Sequence, residues 1–461
     1  MNQDENPDKG ATRSRTPHSK EFLDYISSGW ADKNPSKVAT DKVAPFAKTR
    51  RQAVAAAFPG KVLVIEAGAP KTRSNDTEYR YRPHAAFAHL TGWGSRTVAD
   101  SVLVIDAKQN KDILFLRPTA GKDSDEFFAN SAIGEFWVGA RPTLEEISSL
   151  LDIETRDLAE LDAFLTGADK VDLENKELAQ FVSELRLIKD SYEIEQMRIA
   201  VAASVSGFED IVRGLPKSVG IPKGERVIET AFFARARQEG NDLGYDTIAA
   251  AGKNACVLHW ISNDGEVKPN ELVLVDAGVE IDSLYTADIT RTLPVSGKFT
   301  PEQKKIYLAV LEAADAAFAV AKPGIKFREI HAAAMKVIAQ KTSEWGILPV
   351  SAEESLDENK QFHRRWMVHG TSHHLGIDVH DCAQARREMY MEATIEPGMV
   401  FTIEPGLYFH ENDLSVPKEY RGIGVRIEDD VLITKNGVEN LTAALPRKSK
   451  DVEKWLAKLA K

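Results

Sequence analysis

Cysteine is nearly absent from this chain. Among 461 residues only Cys256 and Cys382 occur, which excludes a disulfide framework and points to a reducing, cytoplasmic setting. Long apolar runs are also missing. No stretch approaches the roughly 18 apolar residues that a spanning helix requires, so no membrane partner is expected. Positive charge is in deficit: Lys and Arg number 59 against 70 Asp and Glu, a formal net charge of −11. With no basic stripe or Lys/Arg-rich block, no nucleic-acid partner is expected either. Short repeats and low-complexity tracts are lacking. The opening MNQDENPDKGATRSRT has no apolar core of a secretory signal and has the composition of a flexible segment. What is present is an apolar fraction of 43%, enough for ordinary globular cores, in a length that suggests two or three domains.

The pattern divides the chain in three. Residues 1–45 read as a polar, flexible extension. Residues 46–187 alternate strand-like and helix-like segments. Apolar runs at 62–66, 101–105 and 112–116 predict buried strands, and 143–151 and 175–187 predict helices. DSYE at 190–193 is a capping box that opens a helix to about Arg213, which places a domain boundary near residue 188. In residues 188–461, further helices are expected at 224–239 and 327–344. Another begins at the TPEQ start signal of 300–303 and ends near Lys322, ahead of Pro323 and Gly324. The polar, acidic segment 350–364 predicts an exposed loop, and strands return after 397. The last eleven residues, DVEKWLAKLAK, predict an amphipathic helix packed on its own domain.

Four stretches concentrate the chemistry: VLVDAGVEIDSLYTADITRT (273–292), VHGTSHHLGIDVHD (368–381), TIEPGLY (402–408) and GVRIEDD (424–430). They carry Asp276, Asp288, His373, Glu404 and Glu428. Carboxylates in apolar runs are costly to bury without a positive partner, and a pair of divalent ions would partner them all. Read as a hairpin centred on Asp282, the first stretch sets Asp276 opposite Asp288 on one face. Two acids so placed repel unless a cation lies between them. Alternation along the next two strands groups Thr402 with Glu404 and Arg426 with Glu428, and Arg426 then reads as an anchor for a ligand carboxylate. The bland alternatives are solvated aspartates on an exposed face and a simple Arg–Glu ion pair. His369, His373, His374 and His380 crowd one Gly-rich segment, with His259 ahead of it. One should bind metal, while others hold substrate or stabilise a developing oxyanion.

These motifs resemble the proline-specific metallopeptidases of the pita-bread fold, the aminopeptidase P family. YDTIAAAGKNACVLHW, the DAG and YTADITRT segments, HGTSHHLGIDVHD, TIEPGLY and RGIGVRIEDD occur in that family's order. FAHLTGWG and EFWVGAR resemble its creatinase-type N-terminal domain. The resemblance implies an α+β chain: a creatinase-like α/β domain followed by a pita-bread catalytic domain. It implies that Asp276 binds one metal, that Asp288 and Glu428 bridge two, and that His373 and Glu404 complete the second. The nucleophile would be a hydroxide bridging the metals, with Glu404 as proton shuttle. His259, His369 and His380 would line the substrate pocket, Arg426 would support the ligands, and Arg141 would contribute to substrate binding from the N-terminal domain. The implied cofactors are two divalent ions, Mn²⁺ first, with Co²⁺ or Zn²⁺ as substitutes. The implied partners are proline-containing peptides and further copies of the chain, as a dimer or tetramer. One departure concerns the turn: Asp276 and Asp288 lie twelve residues apart, one more than is common in the family.

The expected reaction is removal of an N-terminal residue that precedes proline; the alternative is a prolidase, which cuts Xaa-Pro dipeptides. A bond to proline nitrogen is a tertiary amide without N–H, so enzymes that recognise the N–H fail on it. The segment PHSKEFLDYISSGW favours the aminopeptidase. A creatinase-like amidinohydrolase would lack the five ligands, a methionine aminopeptidase would lack the large N-terminal domain, and a non-catalytic binding homologue would have lost ligands or pocket histidines.

Overall fold

A computed structural model describes residues 19–31, 38–75 and 77–460. The chain forms two units, divided between Leu178 and Ala179. That division lies inside the helix Lys176–Glu184, ahead of the boundary near 188 expected from the capping box. The flexible extension expected over 1–45 falls partly outside the described residues. Where it is described, Lys20–Ser27 form a helix rather than a flexible segment, and Ser19 Oγ accepts from the Phe22 N–H at its start.

In the N-terminal unit, β1 (Val62–Glu66), β2 (Val102–Asp106) and β3 (Lys111–Leu116) pair antiparallel. β4 (Glu154–Asp157) and β5 (Lys170–Asp172) add in parallel at the edges, giving the order β4-β3-β2-β1-β5. Val64, Val104, Ile113 and Phe115 face one side of this sheet and pack against Leu158, Leu161 and Phe164. The helix Leu144–Leu151 starts where the sequence signals it. Thr143 Oγ1 accepts from the Glu146 N–H, and the Glu146 carboxylate accepts from the Thr143 N–H.

The C-terminal unit opens with α1 (Ser191–Ser218) on the Asp190–Glu193 capping box. It runs past the end expected near Arg213 and carries Pro216 inside its last turn. α2 (Gly224–Glu239), α3 (Pro301–Val320) and α4 (Arg328–Glu344) follow as expected. α5 (Ser449–Leu459) buries Val452 and Leu456 against α1 and α3 of the same unit. The segment 350–364 is only partly the expected exposed loop: Ser355 and His363 are buried and bonded to each other across it.

Two sheets position the chemistry. β6 (Ile248–Ala251), β7 (Leu272–Ala277) and β8 (Ile289–Pro294) form one, in the order β8-β7-β6. β9 (Val400–Ile403), β12 (Asp429–Thr434) and β13 (Gly437–Asn440) form the other, while β10 (Gly406–Phe409) pairs with β11 (Ile423–Arg426). The Glu428 N–H donates to the Thr290 carbonyl (3.1 Å) and stitches the two systems together. The hairpin register differs from the expectation. Asp276 pairs with Thr290, and an isolated bridge joins Glu280 to Thr286, so the hairpin is centred on Ser283. Leu284, with φ of 72°, makes the extra bend. Moving the centre by one residue moves each partner by two, so Asp276 and Asp288 become diagonal neighbours that still share a face.

Candidate metal centre

The two sheets and the loop that carries His373 bring five side chains to one cavity of about 550 Å³, whose lining includes Asp276, Asp288, His373, Glu404 and Glu428. Ligand atoms of Asp288, His373 and Glu428 all lie within 4.8 Å of one another. His373 Nε2 stands 3.3 Å from Asp288 Oδ2 and 3.4 Å from Glu404 Oε1. Its Nδ1–H donates to its neighbour's carbonyl, that of His374 (3.2 Å), which leaves Nε2 as the nitrogen facing the acids. Asp276 extends the group on the other side.

The electrostatics are those of a site built around positive charge. Burial first, and then the neighbouring acids, push Glu404 up to about 7 and Glu428 well above the usual carboxylate range. Asp276 is also raised, by burial and Asp288, although Arg426 opposes the rise. Burial would lower His373, yet Asp288 and Glu404 outweigh it and lift the imidazole to about 9. Tyr245 gives a sharper sign. Its hydroxyl lies 2.6 Å from Asp276 Oδ1 and 2.5 Å from Asp288 Oδ1. A phenol has one hydrogen to donate, so one of these approaches sets lone pairs face to face unless a proton or a cation lies there. The donor set, oxygen-rich with one imidazole, fits hard or borderline divalent ions.

A second layer orients these ligands. Arg426 donates from Nη2 to Asp276 Oδ2 (2.5 Å), from Nε to Thr290 Oγ1 (3.0 Å) and from Nη1 to the Tyr408 hydroxyl (3.1 Å). Thr290 in turn donates to Glu428 Oε2 (2.6 Å). Tyr408 passes its own hydrogen to His369 Nε2 (2.7 Å), while His369 Nδ1–H donates to the Gly370 carbonyl (2.6 Å). That pattern requires neutral imidazole, and burial together with Arg426 holds His369 down at about 3. Gly406 is needed in the TIEPGLY turn because a Cβ there would stand 2.3 Å from the Tyr408 hydroxyl.

The remaining residues singled out in the sequence divide by unit. His259 and His380 line the same cavity, and the His380 ring lies 4.5 Å from that of His373, nearly perpendicular to it. Ile248, Leu258, Ile261 and Val379 form its apolar wall. Arg141 belongs to the N-terminal unit, where its Nη2 donates to the Pro118 carbonyl (3.4 Å) and burial lowers its pKa. Tyr245, Tyr408 and Thr290 went unrecognised from the sequence, although each lies in or beside a quoted motif; a phenol or hydroxyl among carboxylates was the available signal. Beneath the site Arg291 is wholly buried, bonded to Asp429 Oδ1 (2.6 Å) and to the Glu428 carbonyl.

Comparison with known proteins agrees with this geometry. The sequence model described as metallopeptidase family M24 matches residues 195–435, and that described as aminopeptidase P, N-terminal domain, matches residues 47–173. Xaa-Pro aminopeptidase 1 of Streptomyces coelicolor is 46% identical over 463 residues, covering 96% of this chain and 93% of the relative. The Xaa-Pro aminopeptidase of Escherichia coli is 31% identical over 454 residues, covering 88% and 96%. Among solved structures, the Pseudomonas aeruginosa aminopeptidase PepP superposes with a TM-score of 0.80 at 29% identity, covering 90% of this chain and 98% of that one. Zinc-substituted Escherichia coli aminopeptidase P in complex with product gives 0.79 at 30%, covering 91% and 99%. The expected architecture, a creatinase-like N-terminal domain followed by a pita-bread catalytic domain, is that of these neighbours.

Proposed function

The chain belongs to metallopeptidase family M24, and from that premise we infer that it is a metal-dependent aminopeptidase that removes the N-terminal residue from peptides with proline in second place. The observation that carries this reading is the convergence of four carboxylates and one imidazole on a single cavity, with Asp276, Glu404 and Glu428 raised by burial and by their neighbouring acids. The names of the relatives, Xaa-Pro aminopeptidases that match nearly the whole chain, supply the substrate class and favour it over a prolidase.

Asp276, Asp288, His373, Glu404 and Glu428 would hold two divalent ions, Mn²⁺ first and Co²⁺ or Zn²⁺ as substitutes. When bound, the ions supply a water of lowered pKa and a Lewis acid for the peptide carbonyl. The protein's own part is placement and proton handling. Glu404 is the residue we assign to take the proton of the attacking water and deliver it to the leaving proline nitrogen, which has no hydrogen of its own. Arg426 holds Asp276 in one orientation and, through Tyr408, fixes the tautomer of His369. His259, His369 and His380 would border the space for the scissile carbonyl, and Arg141 is assigned to substrate binding. The apolar wall offers the peptide a surface to pack against.

No helix among the described residues is long and apolar enough to cross a membrane. Two free, buried cysteines support a cytoplasmic setting, and a homo-oligomer is part of the reading, to be checked by light scattering. The deciding test is a panel of an Xaa-Pro dipeptide, a longer Xaa-Pro-Yaa peptide and an Xaa-Ala control, assayed on metal-stripped protein and again after Mn²⁺ is added. Metal-dependent release of the first residue from the longer peptide is the expected result. Cleavage of the dipeptide alone would make the protein a prolidase, and no cleavage with metal bound would end the peptidase reading.

A further inference from the structure

Glu225, near the start of α2, is completely buried and forms no ion pair with Lys, Arg or His among the described residues. A bare carboxylate in such a place is costly unless its lone pairs are filled by donors. All four are. Oε1 accepts from the Ala251 backbone N–H (2.7 Å) and from Asn254 Nδ2 (2.8 Å). Oε2 accepts from Trp260 Nε1 (2.8 Å) and from the Gly265 backbone N–H (2.7 Å). The backbone answers in the other direction, with the Glu225 N–H donating to the Gly265 carbonyl (3.2 Å). Gly265 itself is dictated by this contact, since a Cβ there would stand 2.7 Å from Glu225 Oε1 and 2.5 Å from Asn254 Nδ2.

The four donors come from one loop: two where it leaves β6, one from its middle and one where it returns. Between them the loop carries Leu258, His259 and Ile261 to the wall of the catalytic cavity. His259 is exposed, and no hydrogen bond holds its ring among the described residues. Its place is therefore set by the backbone on which it rides and by its neighbour Trp260, whose indole ends on Glu225.

We propose that Glu225 is a positioning residue of this enzyme, a buried carboxylate that closes the 251–265 loop and so fixes His259 against the substrate. It touches neither substrate nor metal ligand and acts through the loop. This inference rests on the proposed substrate contact of His259, and the test separates the two. Glu225→Gln keeps shape and volume but turns one acceptor oxygen into an NH₂ group. At the Oε2 place it faces two fixed donors, Trp260 and Gly265, and at the Oε1 place it loses the Ala251 bond even if the Asn254 amide turns its oxygen inward, so at least one bond fails in either orientation. Asn263 still pins the loop to β6 through the Ala249 N–H (2.9 Å) and the Thr247 carbonyl (2.8 Å), so the loop shifts rather than unravels.

The experiment is a double-mutant cycle on Mn²⁺-loaded protein with an Xaa-Pro-Yaa peptide: wild type, Glu225→Gln, His259→Ala and the double variant. Metal content is read beside kcat and KM. Glu225→Gln is expected to lower kcat/KM roughly ten- to hundredfold with wild-type metal content. In the His259→Ala background it should change kcat/KM by no more than about twofold. An equal loss in both backgrounds, or loss of bound metal, would overturn the proposal, because either would make Glu225 a general support of the unit. If Glu225→Gln does not fold, Trp260→Phe enters the same cycle, since it withdraws one donor and keeps the aromatic bulk. Loss confined to the His259 background then supports the proposal, and no loss or equal loss refutes it. A normal His259→Ala enzyme would sink the role given to His259. An impaired His259→Ala beside a normal Glu225→Gln would sink only the role given to Glu225.

Discussion

Substituting Asp381→Asn puts a buried charge cluster to the test. Asp381 lies 2.8 Å from Lys189 Nζ and 2.9 Å from Arg186 Nε, and its side chain and that of Lys189 are essentially out of solvent. Its backbone N–H donates to the His374 carbonyl (2.9 Å), so the cluster clamps the loop that carries His373 and His380. Burial alone would raise Asp381, but Lys189 and Arg186 outweigh it and hold the carboxyl well below the usual range. Removing the charge strands two cations, for which about 3–5 kcal/mol is the general cost. The lower end is expected here, because Asp378 lies 3.7 Å from Arg186 and is partly solvated. A carboxyl depressed in the folded state adds stability that is fully present above its unfolded pKa of about 3.9 and is lost as pH falls toward the folded value. The gap between wild type and variant should therefore be constant from pH 7 to about 5 and shrink by roughly 1 kcal/mol between pH 4 and 3. Urea unfolding of the metal-stripped proteins, followed by tryptophan fluorescence, measures both quantities and removes metal linkage from the comparison. A penalty under about 1 kcal/mol at pH 7, or a gap that stays level or widens in acid, would refute the reasoning.

Three other outcomes follow from the geometry. Tyr245→Phe, which deletes the oxygen between Asp276 and Asp288, should weaken Mn²⁺ binding about ten- to hundredfold by calorimetry; unchanged affinity would reduce the phenol to a space filler. Mn²⁺ at one hundred times its Kd should stabilise the stripped protein by about 2.7 kcal/mol and raise its melting temperature, since a cation relieves the repulsion among the acids. Melting that does not respond to metal would count against the proposed ligand set. Leu456→Ala should cost about 2–5 kcal/mol in urea, because Leu456 is 2% exposed under α5, while kcat per folded molecule stays at the wild-type value. A loss much below that would mean α5 is not packed on its unit as described.

Local signals carried a large part of the organisation. The capping boxes at Thr143, Asp190 and Thr300 start helices where they occur, because the bonds that make them span only three residues. The five acid and imidazole positions stood out because a carboxylate inside an apolar run is anomalous wherever the chain later goes. The hairpin centre was misplaced by one residue because the bend depends on a left-handed Leu284 beside a loop from elsewhere: the Thr286 N–H donates to the Gly376 carbonyl (3.0 Å). No local propensity reports such a contact.

The sequence by itself determined the kind of chemistry, the class of fold and the candidate ligands, since residue type and short-range periodicity are properties of neighbours along the chain. Only the tertiary structure decided which groups hold those ligands in place. Tyr245 meets its two aspartates 31 and 43 residues away, Glu225 gathers donors 26 to 40 residues away, and Asp381 pairs with cations 192 and 195 residues away. Each of these is an ordinary polar residue in its own stretch of sequence. It acquires a role when folding removes water from around it, because a buried polar group is then left with whatever partners the packed chain delivers.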